Sequence, residues 1–123
     1  MITIKPFNVI GSDERGETRT FEVKDYGKFI YITRKKGAIC GNTYHKGLNE
    51  GTRLKTFVLL QGEVTVNYRH IDAQVPQSTR VVAPSIIEVE PFVIHNMYIE
   101  SDVIILENNS IQDIQEDVIR EAV

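Results

Sequence analysis

Apolar and polar residues alternate in short runs along most of the chain. Residues 2–10, 18–23 and 28–33 are rich in β-branched and aromatic side chains and are broken by Gly or charged clusters, which predicts strands. The run 55–70 is the clearest. Phe57-Val58-Leu59-Leu60 leads to Gln61-Gly62, after which Val64, Val66 and Tyr68 alternate with polar residues. This predicts a hairpin with Gly62 at a turn that needs positive φ. Further strands are expected at 79–83, 86–89, 94–99 and 103–107. Many short strands without long helices between them indicate a closed or sandwiched all-β fold. Asp72 to Ser78 carries Pro and polar residues and reads as a loop.

The tail has a different period. Ile111, Ile114, Val118 and Ala122 recur at helical spacing, with Glu116, Asp117, Arg120 and Glu121 on the other face. Ser110 is the expected N-cap, with Asp113 three residues on. The pattern predicts one domain over 1–123, with a barrel to about residue 109 and an amphipathic helix at about 110–122. Apolar residues at 41% are enough for a folded core. A formal charge of −3 without a long basic cluster argues against a nucleic-acid partner. No signal peptide and no membrane-spanning run is visible, and the single Cys40 fits a reducing compartment, so a cytoplasmic protein is expected.

Three stretches carry candidate chemistry. Thr43 and His45 are two apart and share a face if their segment is a strand. Lys55 opens an apolar strand, where it either points into a pocket or snorkels outward. His95 ends an apolar run after Pro91 and is either a pocket residue or a hydrogen-bonded core histidine. Tyr31, Tyr68 and Tyr98 either line a pocket or pack across strands. His70 reads as a surface residue, and Cys40 as an inert small side chain.

Taken together, the glycine-rich approach to His45, the strand ending in Gly62 and the later Pro91-x-x-x-His95-Asn96 resemble the two-motif pattern of the cupin superfamily. The resemblance implies an all-β cupin or jelly-roll barrel of two antiparallel sheets, here with a short C-terminal helix. Metal-binding cupins supply His-x-His, a Glu and a further His. Those positions fall on Thr43, His45, Lys55 and His95. Two histidines are too few for a firm metal site, and an ammonium repels a divalent cation. No cofactor is therefore expected. If a metal were present, His45 and His95 would hold it, with Glu50 or Glu107 as a non-motif carboxylate.

The likeness extends to sugar-nucleotide cupins. Asp13-Glu14-Arg15-Gly16, otherwise an ordinary turn, is similar to their Asp-x-Arg-Gly segment. Cys40-Gly-Asn-Thr-Tyr-His-Lys46 is similar to the Arg-Gly-x-His-x-His-Lys of dTDP-sugar 3,4-ketoisomerases. It is also similar to the His-Tyr-His-Lys of the cupin domain in capsular polysaccharide reductases. In the ketoisomerases and in dTDP-4-dehydrorhamnose 3,5-epimerases the first histidine transfers the proton, and that position is Thr43 here. The resemblance implies an isomerase or epimerase acting on a nucleotide-linked keto-sugar in polysaccharide biosynthesis. His45 and His95 would then be acid/base residues, and Lys55 would stabilise an enolate. Thr43, Lys46, Arg15, Tyr31 and Tyr68 would bind substrate. The alternatives are a non-catalytic module that binds a sugar or small acid, and a metal-dependent cupin with an atypical ligand set. A homodimer is expected by family analogy and from the need to cover sheet edges.

Overall fold

The computed structural model describes residues 1–23, 28–108 and 111–123, with the backbone alone for 111–113. The strands in chain order are β1 Ile2–Pro6, β2 Asn8–Asp13, β3 Gly16–Thr20, β4 Phe29–Arg34, β5 Ile39–Tyr44, β6 Lys55–Gln61, β7 Glu63–His70, β8 Gln77–Val82, β9 Ser85–Val89, β10 Val93–Ile99, β11 Val103–Asn108 and β12 Ile119–Arg120. Two short helices interrupt them, α1 Glu50–Arg53 and α2 Ile111–Glu116. One five-stranded sheet has the order β1-β9-β6-β11-β4, and the other has the order β12-β5-β10-β7-β8. All pairings within them are antiparallel. The strands β2 and β3 form a separate exposed ribbon. This is the sandwiched all-β fold that the alternation predicts and the two-sheet jelly-roll that the cupin resemblance implies.

The core lies between the sheets. Phe57, Leu59, Ile87, Val89, Val103 and Ile105 come from the first sheet, and Val64, Val66, Val81, Val93, Met97 and Ile99 from the second. They occupy alternate strand positions, as a pleated inner face requires. Among the described residues no helix is long and apolar enough to cross a membrane.

Two expectations are corrected. The segment 55–70 is not a hairpin: β6 pairs with β9 and β11, whereas β7 pairs with β8 and β10. Gly62 does have positive φ, at 89°, but it turns the chain from one sheet into the other. A Cβ there would collide with the carbonyl oxygen of Asp102 and sit 2.8 Å from Val103 Cγ1, so the crossing needs glycine. The tail helix is also shorter than 110–122. It ends at Glu116, and β12 follows, pairing with Tyr44 and Thr43 of β5. Asp117 is drawn out of the helix by hydrogen bonds to residues 46–52, and tertiary contacts of this kind override local helical period. Ser110 as N-cap lies outside the described residues, as does the Asp113 side chain.

Candidate active site

A cavity of about 310 Å³ opens between the sheets. Ile32, Arg34, Phe57, Ile105 and Glu107 line it from the first sheet, and Cys40, Thr43, His45, His95 and Met97 from the second-sheet side. The tail forms a further wall through Ile114, Gln115, Val118 and Arg120.

Local backbone irregularity aims these side chains. The pairing of β5 with β10 matches Cys40 to Met97 and Thr43 to His95, so three steps on β5 span two on β10. The extra residue is Asn42, at φ 59°, and it follows Gly41 at φ 106°. A Cβ on Gly41 would meet the His95 carbonyl oxygen at 2.9 Å. This bulge resets the alternation, so that Cys40 and Thr43 both face the cavity. Just past β5, the His45 carbonyl accepts a 2.8 Å hydrogen bond from the Phe92 N–H, which ties it to the approach of β10.

The two imidazoles are buried, with ring centroids 6.0 Å apart. Each is fixed by a main-chain oxygen. His45 Nδ1 donates to the Asp117 carbonyl, and His95 Nδ1 donates to the Val93 carbonyl at 3.0 Å. A carbonyl only accepts, so both Nδ1 atoms carry hydrogen and both Nε2 atoms keep a lone pair. Among the described residues, no buried side-chain nitrogen or oxygen lacks a partner. Among the described residues no hydrogen bond engages either Nε2, and both histidines line the cavity. Burial is the main cause that pushes both rings below the usual histidine pKa. The Asp117 carbonyl opposes this at His45, and Lys55 adds to it. For His95, burial, opposed by the Val93 hydrogen bond and reinforced by His45 and Lys55, brings the value down to about 4. At neutral pH the site therefore holds two uncharged bases.

This depression carries a stability cost on acidification. The unfolded chain binds a proton near the usual value of 6.5, whereas folded His95 resists until about 4. Its contribution is intact above pH 6.5 and is lost as pH falls toward 4, by about 3 kcal/mol in all. His95→Gln should flatten that segment of a denaturation-versus-pH curve. An unchanged slope in the variant would assign the loss to other groups.

Lys55 is 1% exposed and points inward, not outward. Its Nζ donates to the Asn108 carbonyl at 3.0 Å and pairs with Glu107 at 3.2 Å. It lies 5.8 Å from the centre of the Phe57 ring, which stands edge-on to His95. Lys55 itself does not line the cavity. Thr43 does, and is the cross-strand partner of His95.

The remaining expected binding residues are elsewhere. Arg15 is in the exposed β2–β3 turn, ion-paired with Asp13 at 2.7 Å, because that ribbon leaves the barrel. Tyr31 is 65% exposed, because alternation on β4 turns Ile32 inward instead. The Lys46 side chain is exposed, and only its backbone N–H is used, toward Asp117. Tyr68 packs against the core cluster without reaching the cavity.

The four positions that the cupin resemblance marks as metal ligands do not fit a divalent cation. Thr43 offers a hydroxyl and Lys55 an ammonium. Among the described residues no three His, Cys, Asp or Glu side chains are grouped to hold a metal. Glu50 is exposed at the start of α1 and does not line the cavity, and Glu107 is engaged by Lys55.

Sequence reasoning missed Arg34, Arg120 and Asp117. The alternation Ile30, Ile32, Arg34 would have put Arg34 on the inner face of β4. Arg120 and Asp117 depend on how the tail folds back, which no local period reveals.

No family model and no curated protein sequence matches the chain. Solved structures do match. QdtA, a sugar 3,4-ketoisomerase from Thermoanaerobacterium thermosaccharolyticum in complex with TDP, is similar with a TM-score of 0.72 and 21% identity, over 98% of this chain and 88% of QdtA. A variant of QdtA in complex with TDP-4-keto-6-deoxyglucose also gives 0.72. RmlC from Legionella pneumophila, a dTDP-6-deoxy-D-glucose-3,5-epimerase, gives 0.69 at 16% identity, over 97% of this chain and 71% of RmlC. CapF, a capsular polysaccharide assembling protein from Staphylococcus aureus, gives 0.66 at 20% identity, and the match spans 96% of this chain but 35% of CapF. What these proteins share with the present chain, from one sheet across to the other, is the cupin barrel.

Proposed function

We propose that the protein is an isomerase or epimerase acting on a nucleotide-linked keto-sugar in polysaccharide biosynthesis. The observation that carries this reading is the pair of neutral imidazoles, 6.0 Å apart, in one cavity. The chemistry is proton abstraction beside a carbonyl. His45 Nε2 takes the proton from the carbon next to the keto group. The C–H electron pair becomes a C=C bond, and the carbonyl π pair moves to oxygen. The resulting imidazolium is stabilised through Nδ1 by the Asp117 carbonyl. In a keto transfer the proton then returns to the neighbouring carbon; in an epimerisation a proton from water enters the opposite face of the same carbon and His45 releases its own to solvent. His95 accepts from a sugar hydroxyl and, in a keto transfer, relays its proton between the two oxygens. Thr43 offers a hydroxyl to the sugar but is no base at neutral pH.

Arg34 and Arg120 are at the exposed rim of this cavity. Guanidinium groups suit a phosphate oxygen pair, so they are assigned to the diphosphate of the substrate. Arg120→Ala should weaken TDP binding about tenfold in calorimetry, the size of one charge-assisted contact. Unchanged affinity would assign the nucleotide to another surface.

A homodimer in the cytoplasm belongs to the same proposal. The homodimer is supported by the outer edges of β1, β4, β8 and β12, which pair with no further strand among the described residues, and by exposed apolar residues such as Tyr31 on β4.

The test is deuterium exchange into TDP-4-keto-6-deoxyglucose in heavy water. Stereospecific exchange at the carbon next to the keto group supports the enzyme reading. Binding without exchange would replace it with the non-catalytic module.

A further inference from the structure

Asp117 is 3% exposed and joins the C-terminal tail to residues 45–52. Its Oδ1 accepts from the Lys46 N–H at 2.8 Å. Its Oδ2 accepts from the Leu48 N–H at 2.8 Å and from the Thr52 hydroxyl. Its main-chain carbonyl accepts from His45 Nδ1. The same residue sits between Ile114 and Gln115 on one side and Val118 and Arg120 on the other, all of which line the cavity. Burial alone would raise the carboxyl, but the bonds from Thr52, Lys46 and Leu48 outweigh it and hold the group ionised.

We propose that Asp117 is a positioning residue that latches the C-terminal tail over the cavity and, through its own carbonyl, locks His45 with hydrogen on Nδ1 and the Nε2 lone pair facing the substrate. The carboxylate fastens the turn, and the turn presents the carbonyl. Neither half serves His45 without the other. Because the carboxylate of the same residue is held by three bonds to the 46–52 segment, which directly follows His45 in the chain, the carbonyl moves with the ring it fixes. The role in turnover rests on the isomerase reading above, whereas the structural lock does not.

The test is nitrogen NMR of the His45 ring in the intact protein. The wild type should show one tautomer, hydrogen on Nδ1. Asp117→Asn puts an amide N–H against donors and should give a mixture of tautomers at His45. Thr52→Val removes one of the three bonds with little change of shape, and it should give a smaller admixture if the asparagine variant does not fold. Arg69→Ala cuts a separate tail anchor, the 3.1 Å pair with Glu121 and the 3.0 Å bond to the Ala122 carbonyl, and should leave the tautomer unchanged. A single Nδ1–H tautomer in both Asp117→Asn and Thr52→Val overturns the proposal. So does equal mixing in Arg69→Ala, which would assign the lock to general docking of the tail. If the exchange assay succeeds, kcat should fall about tenfold or more in Asp117→Asn with KM little changed, since a mis-set tautomer impairs the chemical step. Mixed tautomers without any exchange activity in the wild type would retain the lock and reject the isomerase.

Discussion

His45→Gln is expected to lower the rate of proton exchange into a nucleotide-linked keto-sugar by at least about 100-fold, the lower range for losing a positioned general base. Glutamine approximates the reach of the ring and retains an N–H for the Asp117 carbonyl, but it has no basic lone pair. Nucleotide affinity should therefore change little, and the loss should fall on kcat. The pH profile offers an independent check. Burial, offset in part by the Asp117 carbonyl, sets His45 below the usual histidine value. The base form then persists to lower pH, and the rate plateau should extend below pH 6.5 before it falls. His95→Gln should have the smaller effect on exchange, because His95 is the deeper and less basic ring. A full rate in His45→Gln would transfer the base role to His95.

The barrel was legible because alternation is local. Val64, Val66 and Tyr68 mark an inner face from their spacing alone, and they fall on one strand of the sandwich. The crossing at Gly62 was not legible. A glycine at positive φ serves a hairpin and a sheet-to-sheet corner equally well, and partners of β6 that are 26 to 50 residues distant in the chain decide between them, as the pairings Val58–Ile86 and Leu106–Val58 illustrate. The site divides along the same line. His45, His95 and Thr43 were found from short motifs on the strands, and they meet in one cavity. Arg15 came from the same kind of match and is elsewhere, because a motif carries no information on which way a ribbon leaves a barrel, whereas Tyr31 was chosen only as an aromatic on a strand and alternation turns it outward. Asp117 read as the polar face of a helix. Its partners are 65 to 72 residues away, and only the folded tail brings them together.

Lys55→Ala is expected to destabilise the fold by about 3 kcal/mol or more, the usual result of removing one partner of a buried ion pair. Lys55 is 1% exposed and Glu107 17%, so little water can replace the lost ammonium. The Asn108 carbonyl also loses its 3.0 Å donor. The cost should come mainly from the carboxylate left behind, not from the packing of the lysine stem. Lys55→Met with Glu107→Leu should then recover most of the stability in a urea denaturation series, because an apolar pair of similar volume removes both charges together. A double variant no better than Lys55→Ala would place the cost in the Asn108 contact or in packing. The same variants bear on the chemistry. Lys55 contributes to depressing both imidazoles, so His95 in the double variant should titrate above about 4. At the position where the cupin resemblance expects a carboxylate ligand, this chain thus has a cation that adds to the burial by which both histidines are kept neutral.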